Sequence, residues 1–482
     1  MPARTGKEYI AGLQREPREV WIDGERVEDV TAHAALKRGA ESIAALYDMQ
    51  HEPALRDEMT YESPTTGDRV GLSFLTTRTI DDLERRRRMM AHWSRSSGGM
   101  LGRSPDYLNA SIMAQASASQ FFAQNRPEFA DNIQDYYEHI RENDLALTHT
   151  LVNLRRTRSS QSTIGTDEEI ALRVIKETDA GVIVKGARIL ATLGPISDEI
   201  LVAPSTVLRA EKDAGQFAFS FAIPSSTPGL KYVCRESFDV GRSNFDHPLG
   251  SRFEEMDAIV FFKDVLVPWE RIFLLDNVEL SNTAYAATNA VVHMMHQVIV
   301  KNVAKTEFIL GVACLMVDTL GSGQIPQVQE RIAEIIMNLE VMKACLRASE
   351  ADASLDQWGV MCPDRMPLDV ARNLYPKMYP RMVEILQLLG SSSLMAIPSE
   401  ADFDSELAQD LELYLATGTA TGKERVQLFR LAWDVACSAF GSRQALYERF
   451  FFGDPSRMAS ALYGIYDKEP LIERVRDFLK RD

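Results

Sequence analysis

The sequence predicts an α+β chain in the order α, then β, then α, and three observations carry that reading. Up to about residue 145, apolar residues recur at helical spacing between turn signals. From 146 to 274, short β-branched and aromatic runs follow one another at near-regular intervals, as in a barrel or sandwich. Beyond 274, long helical patterns run to the end. The expected domains are therefore 1–145, helical; 146–274, a β-barrel; and 275–482, a helical bundle.

In the first region, "VWIDGERV" is a hairpin candidate, because Asp23-Gly24 suits a turn with positive φ. Arg85-Arg86-Arg87-Arg88, after Asp81 and Asp82 and before Met89-Met90, reads as the solvated face of a helix. "GRSPDYLNASIMAQ" carries a helix start, with Ser104 as cap, Pro105 at the first position and Asp106 in the first turn. Arg103 lies just outside it, at the end unfavourable to a cation. Tyr107 follows close by. From these residues alone a capped surface helix is the simplest reading.

In the second region, "AGVIVKGARILAT" reads as strand, Lys-Gly turn, strand. "EILVAPSTVL", "FAFSFAIPSS", "KYVCRESF" and "MDAIVFFKDVLVP" supply further strands. In the third, a capped helix is expected from Ser281, with an apolar helix over Ala286–Met316. Val328, Ile332, Ile335, Leu339, Met342 and Leu346 form a heptad stripe suited to a bundle. Pro376 and Pro380 are expected to interrupt a further helix, and Gly441 to end the one in "KERVQLFRLAWDVACSAFG".

A formal charge of −16, from 53 basic and 69 acidic residues, argues against nucleic acid or an anionic membrane as partner. Cys234, Cys314, Cys345, Cys362 and Cys437 are widely spaced and form no CxxC, so neither a disulfide framework nor a thiolate metal site is expected. No secretory signal or membrane span is visible, and a cytoplasmic location is expected. GxSxG, HExxH, P-loop and complete GxGxxG signatures are absent. His293 and His296 in "HMMHQ" lack matching acidic residues and read as buried, hydrogen-bonded histidines, with no metal. His149 stands out, because "DLALTHTLVN" lies where the helical and β regions meet and clefts form. The basic segment after it, with Arg155, Arg156 and Arg158, suits either a surface loop or an anion such as pyrophosphate.

Nearly end to end, the chain resembles the oxygenase components of the two-component 4-hydroxyphenylacetate 3-monooxygenases. The resemblance rests on "RTGKEYI", "ALYDMQHEP", "GRSPDYLNA", "LTHTLVN", "STPGLKYVCRE", "FDHPLGSRFEEMDAIVFFKDVLVPWERIF", "NTAYAAT", "ARNLYP" and "RQALYERFFFGDP". It implies an acyl-CoA-dehydrogenase-like fold of α domain, β-barrel and four-helix bundle, the last also building a homotetramer. It places the phenol-binding Arg, Tyr and His on Arg103, Tyr107 and His149. The substrate-tail loop falls on Ser205 and Thr206, and flavin contacts on His149, Thr150, Leu151, Thr192, Asp454, Pro455, Ser456 and Arg457. Where the family commonly has a Pro-containing segment after "VN", this chain has Leu154-Arg155-Arg156-Thr157-Arg158. A phosphate contact is expected from this run, with Arg155 and Arg158 the candidates and the choice among Arg155, Arg156 and Arg158 left open.

The resemblance implies FAD, reduced by a separate NAD(P)H:flavin reductase, reacting with O2 to a C4a-hydroperoxide that ortho-hydroxylates a phenol to a catechol. His149 is expected as base, with a reference pKa near neutrality. Arg103 is expected to stabilise phenolate, Tyr107 to orient its oxygen, and Thr192 to steady the hydroperoxide. The alternatives are an acyl-CoA-dehydrogenase-like flavoenzyme and a flavin-dependent dehydratase. The latter needs cluster cysteines, yet none precedes Cys234 and Val300 stands one heptad beyond His293. The substrate, free or carrier-tethered, is left open.

Overall fold

The computed structural model of the chain describes residues 3–154, 170–204, 208 and 214–480. Helix Gly6–Arg15 starts at a reciprocal cap between Thr5 and Glu8. The hairpin then turns on Asp23 (φ 52°) and Gly24 (φ 83°), both in the left-handed region such a two-residue turn requires. Its first strand, Glu19–Ile22, pairs in parallel with Leu230–Cys234, so the hairpin joins the central sheet.

Two sheets fill the middle of the fold. In the larger, Leu230–Cys234, Asp257–Pro268 and Gly181–Thr192 are successive neighbours, with Val152–Asn153 and Arg173–Thr178 also on the last. The smaller runs Ile272–Leu275, Phe219–Pro224, Glu199–Val202, Leu147–Thr150. They meet face to face, with Phe221 of one edge-on to Phe262 of the other at 6.4 Å. Leu147–Thr150 lies parallel to Glu199–Val202, in a register that sets His149 opposite Leu201 and Thr150 opposite Val202.

Four local expectations are corrected. "AGVIVKGARILAT" is one strand, continuous through Gly186. A Cβ there would lie 2.4 Å from the carbonyl oxygen of Ala171, so glycine admits a crossing backbone rather than a turn. Asn277, not Ser281, caps helix Val278–Ala287, and Asn289 (φ 54°) separates it from Ala290–Thr319. Helix Arg365–Gly390 runs unbroken through Pro376 and Pro380. Buried Tyr375, Tyr379 and Met382 hold it in the bundle, so tertiary packing overrides the two lost hydrogen bonds. Gly441 lies in the first turn of the next helix, Ala439–Phe450, where a Cβ would meet the Val435 oxygen at 2.2 Å.

The heptad stripe lies on helix Pro326–Ala351, with all its members but the half-buried Ile332 in the core. Of the arginine run, Arg86 is wholly buried rather than solvated and meets His293 Nδ1 at 2.8 Å. Among the described residues, no helix is long and apolar enough to cross a membrane.

Candidate active site

The chain reaches the site through Gly102, where a Cβ would collide with the Tyr447 ring at 2.5 Å. Arg103 follows, its backbone N–H donating to Glu255 Oε1 (2.7 Å) and its Nη1 to the Tyr447 hydroxyl (2.9 Å). The guanidinium carbon lies 4.1 Å from the Tyr107 ring centroid and 5.2 Å from that of Phe451. This is a cation held over one aromatic face and beside another.

Helix Asp106–Ser117 begins differently from the expected surface cap. Ser104 donates its hydroxyl to Asp106 Oδ1 (2.6 Å), and Gln297 donates to Oδ2 (3.2 Å). Asp106 is fully buried, and burial pushes its carboxyl up to about 6. The start is therefore internal, which is why Arg103 and Tyr107 face inward together. Tyr107 is 3% exposed, and the His149 ring sits edge-on to it at 5.8 Å.

His149 ends up here because the strand Leu147–Thr150 is buried along its whole length. Its Nδ1, the Thr150 hydroxyl and Asn153 Oδ1 are buried without a partner among the described residues. Burial, and after it the charge of Arg103, holds the His149 pKa well below its ordinary value. Burial pushes the Tyr107 phenol upward, with Arg103 opposing. Both are thus neutral near pH 7.

The Thr192 carbonyl accepts from the hydroxyl of Thr148, the residue before His149 (2.8 Å), but its own hydroxyl already donates to Asp257 Oδ1 (2.7 Å), so only its lone pairs are free for another group. Arg443 donates to both oxygens of Asp257 (2.8 and 2.9 Å) and to Glu255 Oε2 (2.7 Å). Burial opposes ionisation of Asp257, yet Arg443 and Arg235 hold it down to about 2. One network thereby runs from Thr192 through Asp257, Arg443 and Glu255 to the Arg103 backbone. Beneath Tyr447, Lys301 and Lys305 share the single carboxylate of Glu448, at 2.5 and 2.6 Å.

A narrow cleft with a cavity of about 10 Å³, room for about one water molecule, lies between Gln115, Ala203, Pro204, Ser220, Ser281 and Tyr285. The hydroxyls of Ser281 and Tyr285 are buried and unpartnered among the described residues. Burial raises the Tyr285 phenol, and Tyr107 is near enough to add to the effect.

The structure thus brings Arg103, Tyr107 and His149 together, with Thr192 tied to the same network. Asp454, Ser456 and Arg457 are exposed at the start of helix Pro455–Ile465, where the Asp454 carboxylate caps the helix. Arg155, Arg158, Ser205 and Thr206 lie outside the described residues. His293 and His296 are buried, the first on Arg86 and the second on Glu350 at 2.8 Å. Sequence reasoning missed Tyr447, Phe451, Arg443 and Glu255. All four stand in stretches matching the family, "RQALYERFFFGDP" and "SRFEEMDAIV", but nothing local marks them as neighbours of Arg103.

Residues 5–274 match the family model "4-hydroxyphenylacetate 3-hydroxylase N terminal", and residues 281–480 its C-terminal counterpart. The chain is 50% identical over 481 residues to the 4-hydroxyphenylacetate 3-monooxygenase oxygenase component of Geobacillus sp. (strain PA-9), covering 100% of this chain and 97% of the relative. It superposes with a TM-score of 0.95, at 50% identity, on the crystal structure of such an oxygenase component complexed with FAD and 4-hydroxyphenylacetate, over 99% of this chain and 98% of the other. An archaeal 4-hydroxybutyryl-CoA dehydratase from N. maritimus, 18% identical with a TM-score of 0.88 over 100% of this chain and 96% of its own, shares the fold.

Proposed function

Because the chain belongs to the 4-hydroxyphenylacetate 3-hydroxylase family, we propose that it is the oxygenase component of a two-component monooxygenase. It hydroxylates a phenol at the ortho position, using O2 and FAD reduced by a separate reductase. The observation that carries this reading is the buried trio: Arg103 4.1 Å over Tyr107, and His149 edge-on to it.

The residues present fit a flavin. The unpartnered His149 Nδ1, Thr150 hydroxyl and Asn153 Oδ1 follow one another along one segment, which suits the alternating N–H and C=O groups of a flavin's polar edge. His149, Thr150, Leu151 and Thr192 would hold the ring, and Asp454–Arg457, Arg155 and Arg158 the remainder. The bound reduced flavin supplies the activation of O2 into an electrophilic oxygen donor.

The chain's own residues prepare the ring to be attacked. The fixed charge of Arg103 lowers the cost of phenolate in a dry site, raising electron density at the ortho carbon. Tyr107 orients the phenolic oxygen by hydrogen bonding. His149 is the proton acceptor, on a different ground from that expected in the sequence. Burial and Arg103 make it a weak base, so the proton leaves chiefly because Arg103 stabilises the anion left behind. Enclosure of Tyr107 and His149 excludes water that would divert the oxidant to H2O2. Ser205 and Thr206, next in sequence after the cleft residue Pro204, would meet the substrate's ring substituent. A dehydratase reading is disfavoured because His293 is engaged by Arg86 and no cysteine precedes Cys234.

In the same reading the chain works as a cytoplasmic homotetramer with domains 1–145, 146–274 and 275–482. Support for assembly is the apolar surface of the terminal helices, where Tyr463, Phe478 and Leu479 are 70%, 71% and 77% exposed. The purified chain alone is expected not to oxidise NADH, yet to turn a phenol into a catechol when given chemically reduced FAD and O2. Rapid NADH oxidation by the chain alone, or no catechol from any of a panel of phenols, would overturn the reading.

A further inference from the structure

Arg188 stands within the strand Gly181–Thr192, is 1% exposed, and has no carboxylate partner among the described residues. Its Nη1 donates to the carbonyl oxygens of Leu151 (2.5 Å) and Ala203 (3.3 Å). Its Nε and Nη2 are buried without a partner among the described residues, and its guanidinium carbon lies 5.5 Å from the Phe219 ring centroid. Burial pushes its pKa down to about 9. A buried, uncompensated cation is costly, and an apolar residue of similar volume would serve the fold at least as well.

The position of those two carbonyls gives the charge a purpose. The strands Leu147–Thr150 and Glu199–Val202 are paired up to Thr150 opposite Val202, and there the pairing ends. Leu151 and Ala203 are the next residues in that register. One nitrogen of Arg188 bonds both carbonyls just where the two strands part. On one side the chain has come from His149 and Thr150; on the other it enters Ala203 and Pro204, a wall of the cleft.

We propose that Arg188 is a positioning residue: it carries the strand pairing one residue further and so fixes the flavin-side segment at the distance from the cleft wall that presents the phenol ring correctly. This rests on the function proposed above. Arg188 touches neither reacting group, so its effect passes through the two carbonyls it holds.

Arg188→Met keeps the apolar volume without charge or donors, and Arg188→Gln keeps a donor too short to reach. Each folded variant is expected to keep the wild-type Tm within a few degrees and to consume O2 at a similar rate. Its KM for the phenol should rise roughly tenfold or more, its ratio of catechol to H2O2 should fall, and FAD should bind more weakly in a fluorescence titration. Wild-type KM, product ratio and FAD affinity in either folded variant would overturn the proposal, as would a fallen Tm with those three unchanged. Arg103→Ala, assayed alongside, separates the two readings. If it leaves the product ratio unchanged, the site itself is wrongly assigned; if it lowers the ratio while Arg188→Met does not, this proposal alone fails.

Discussion

Tyr447 accepts a hydrogen bond from Arg103 Nη1 at 2.9 Å, across 344 residues of chain. Its ring is stacked on Phe451, with centroids 4.9 Å apart and planes 11° from parallel. The guanidinium is therefore tethered at one nitrogen while its face covers Tyr107. An arginine side chain free to choose among rotamers would stabilise a phenolate less, because the cost of ordering it would fall on the reaction.

Tyr447→Phe preserves the stacked ring and deletes the acceptor. Loss of one hydrogen bond to a charged group, about 1.5 kcal/mol, corresponds to roughly tenfold in rate. Hydroxylation should fall by about that factor with Tm little changed. A wild-type ratio of catechol to H2O2 would show that the tether is dispensable.

Arg103→Ala and His149→Ala should each lower hydroxylation by roughly 10²-fold or more, the usual scale for a lost acid–base or charge-stabilising group. Oxygen should still be consumed and released as H2O2. Tyr107→Phe should be milder, since it removes one hydroxyl and keeps the ring under Arg103. The measurement is catechol formed against H2O2 released.

The pH response follows from the direction of the His149 shift. Its folded-state pKa lies well below the ordinary value, so the imidazole stays neutral as pH falls through 6.5. The product ratio should therefore be flat from about pH 8 to about pH 6. An acid limb with a midpoint near 6.5, absent from His149→Gln, would contradict the site electrostatics.

Among the described residues, Glu448 is the single carboxylate in contact with both buried lysines, and burial holds Lys301 down to about 8 despite it. Glu448→Gln strands two ammonium groups, and should destabilise by about 3–5 kcal/mol. Lys301→Met removes one of the two cations and should cost far less. Equal losses of Tm in the two variants would refute this account.

The α/β/α order was readable because its signals are local: helical periodicity, β-branched runs and Asp23-Gly24 each act within a few residues. Arg103, Tyr107 and His149 were legible through the sequence stretches they stand in. Tyr447, Arg443 and Arg188 were not, because what makes each matter is a contact with a segment far away in the chain. Pro376 and Pro380 misled for the same reason. Their local cost is real, but the buried Tyr375 and Tyr379 decide the outcome. Ser104 looked like a cap because Ser-Pro-Asp reads as a surface helix start until Gln297 arrives from another helix.

The Thr192–Asp257–Arg443–Glu255–Arg103 network has a consequence for how such a chain can diverge. Its members come from the first helical region, the sheets and the last helices, and each ionic link crosses a boundary between them. Cleft-wall residues such as Ser220 or Ser281 lie outside that network and can be replaced one at a time. A crossover between 257 and 443, by contrast, joins Arg443 of one parent to Glu255 and Asp257 of the other. A hybrid whose second parent lacks that arginine buries two carboxylates with their main cation gone, so recombination is confined to parents that share the whole set.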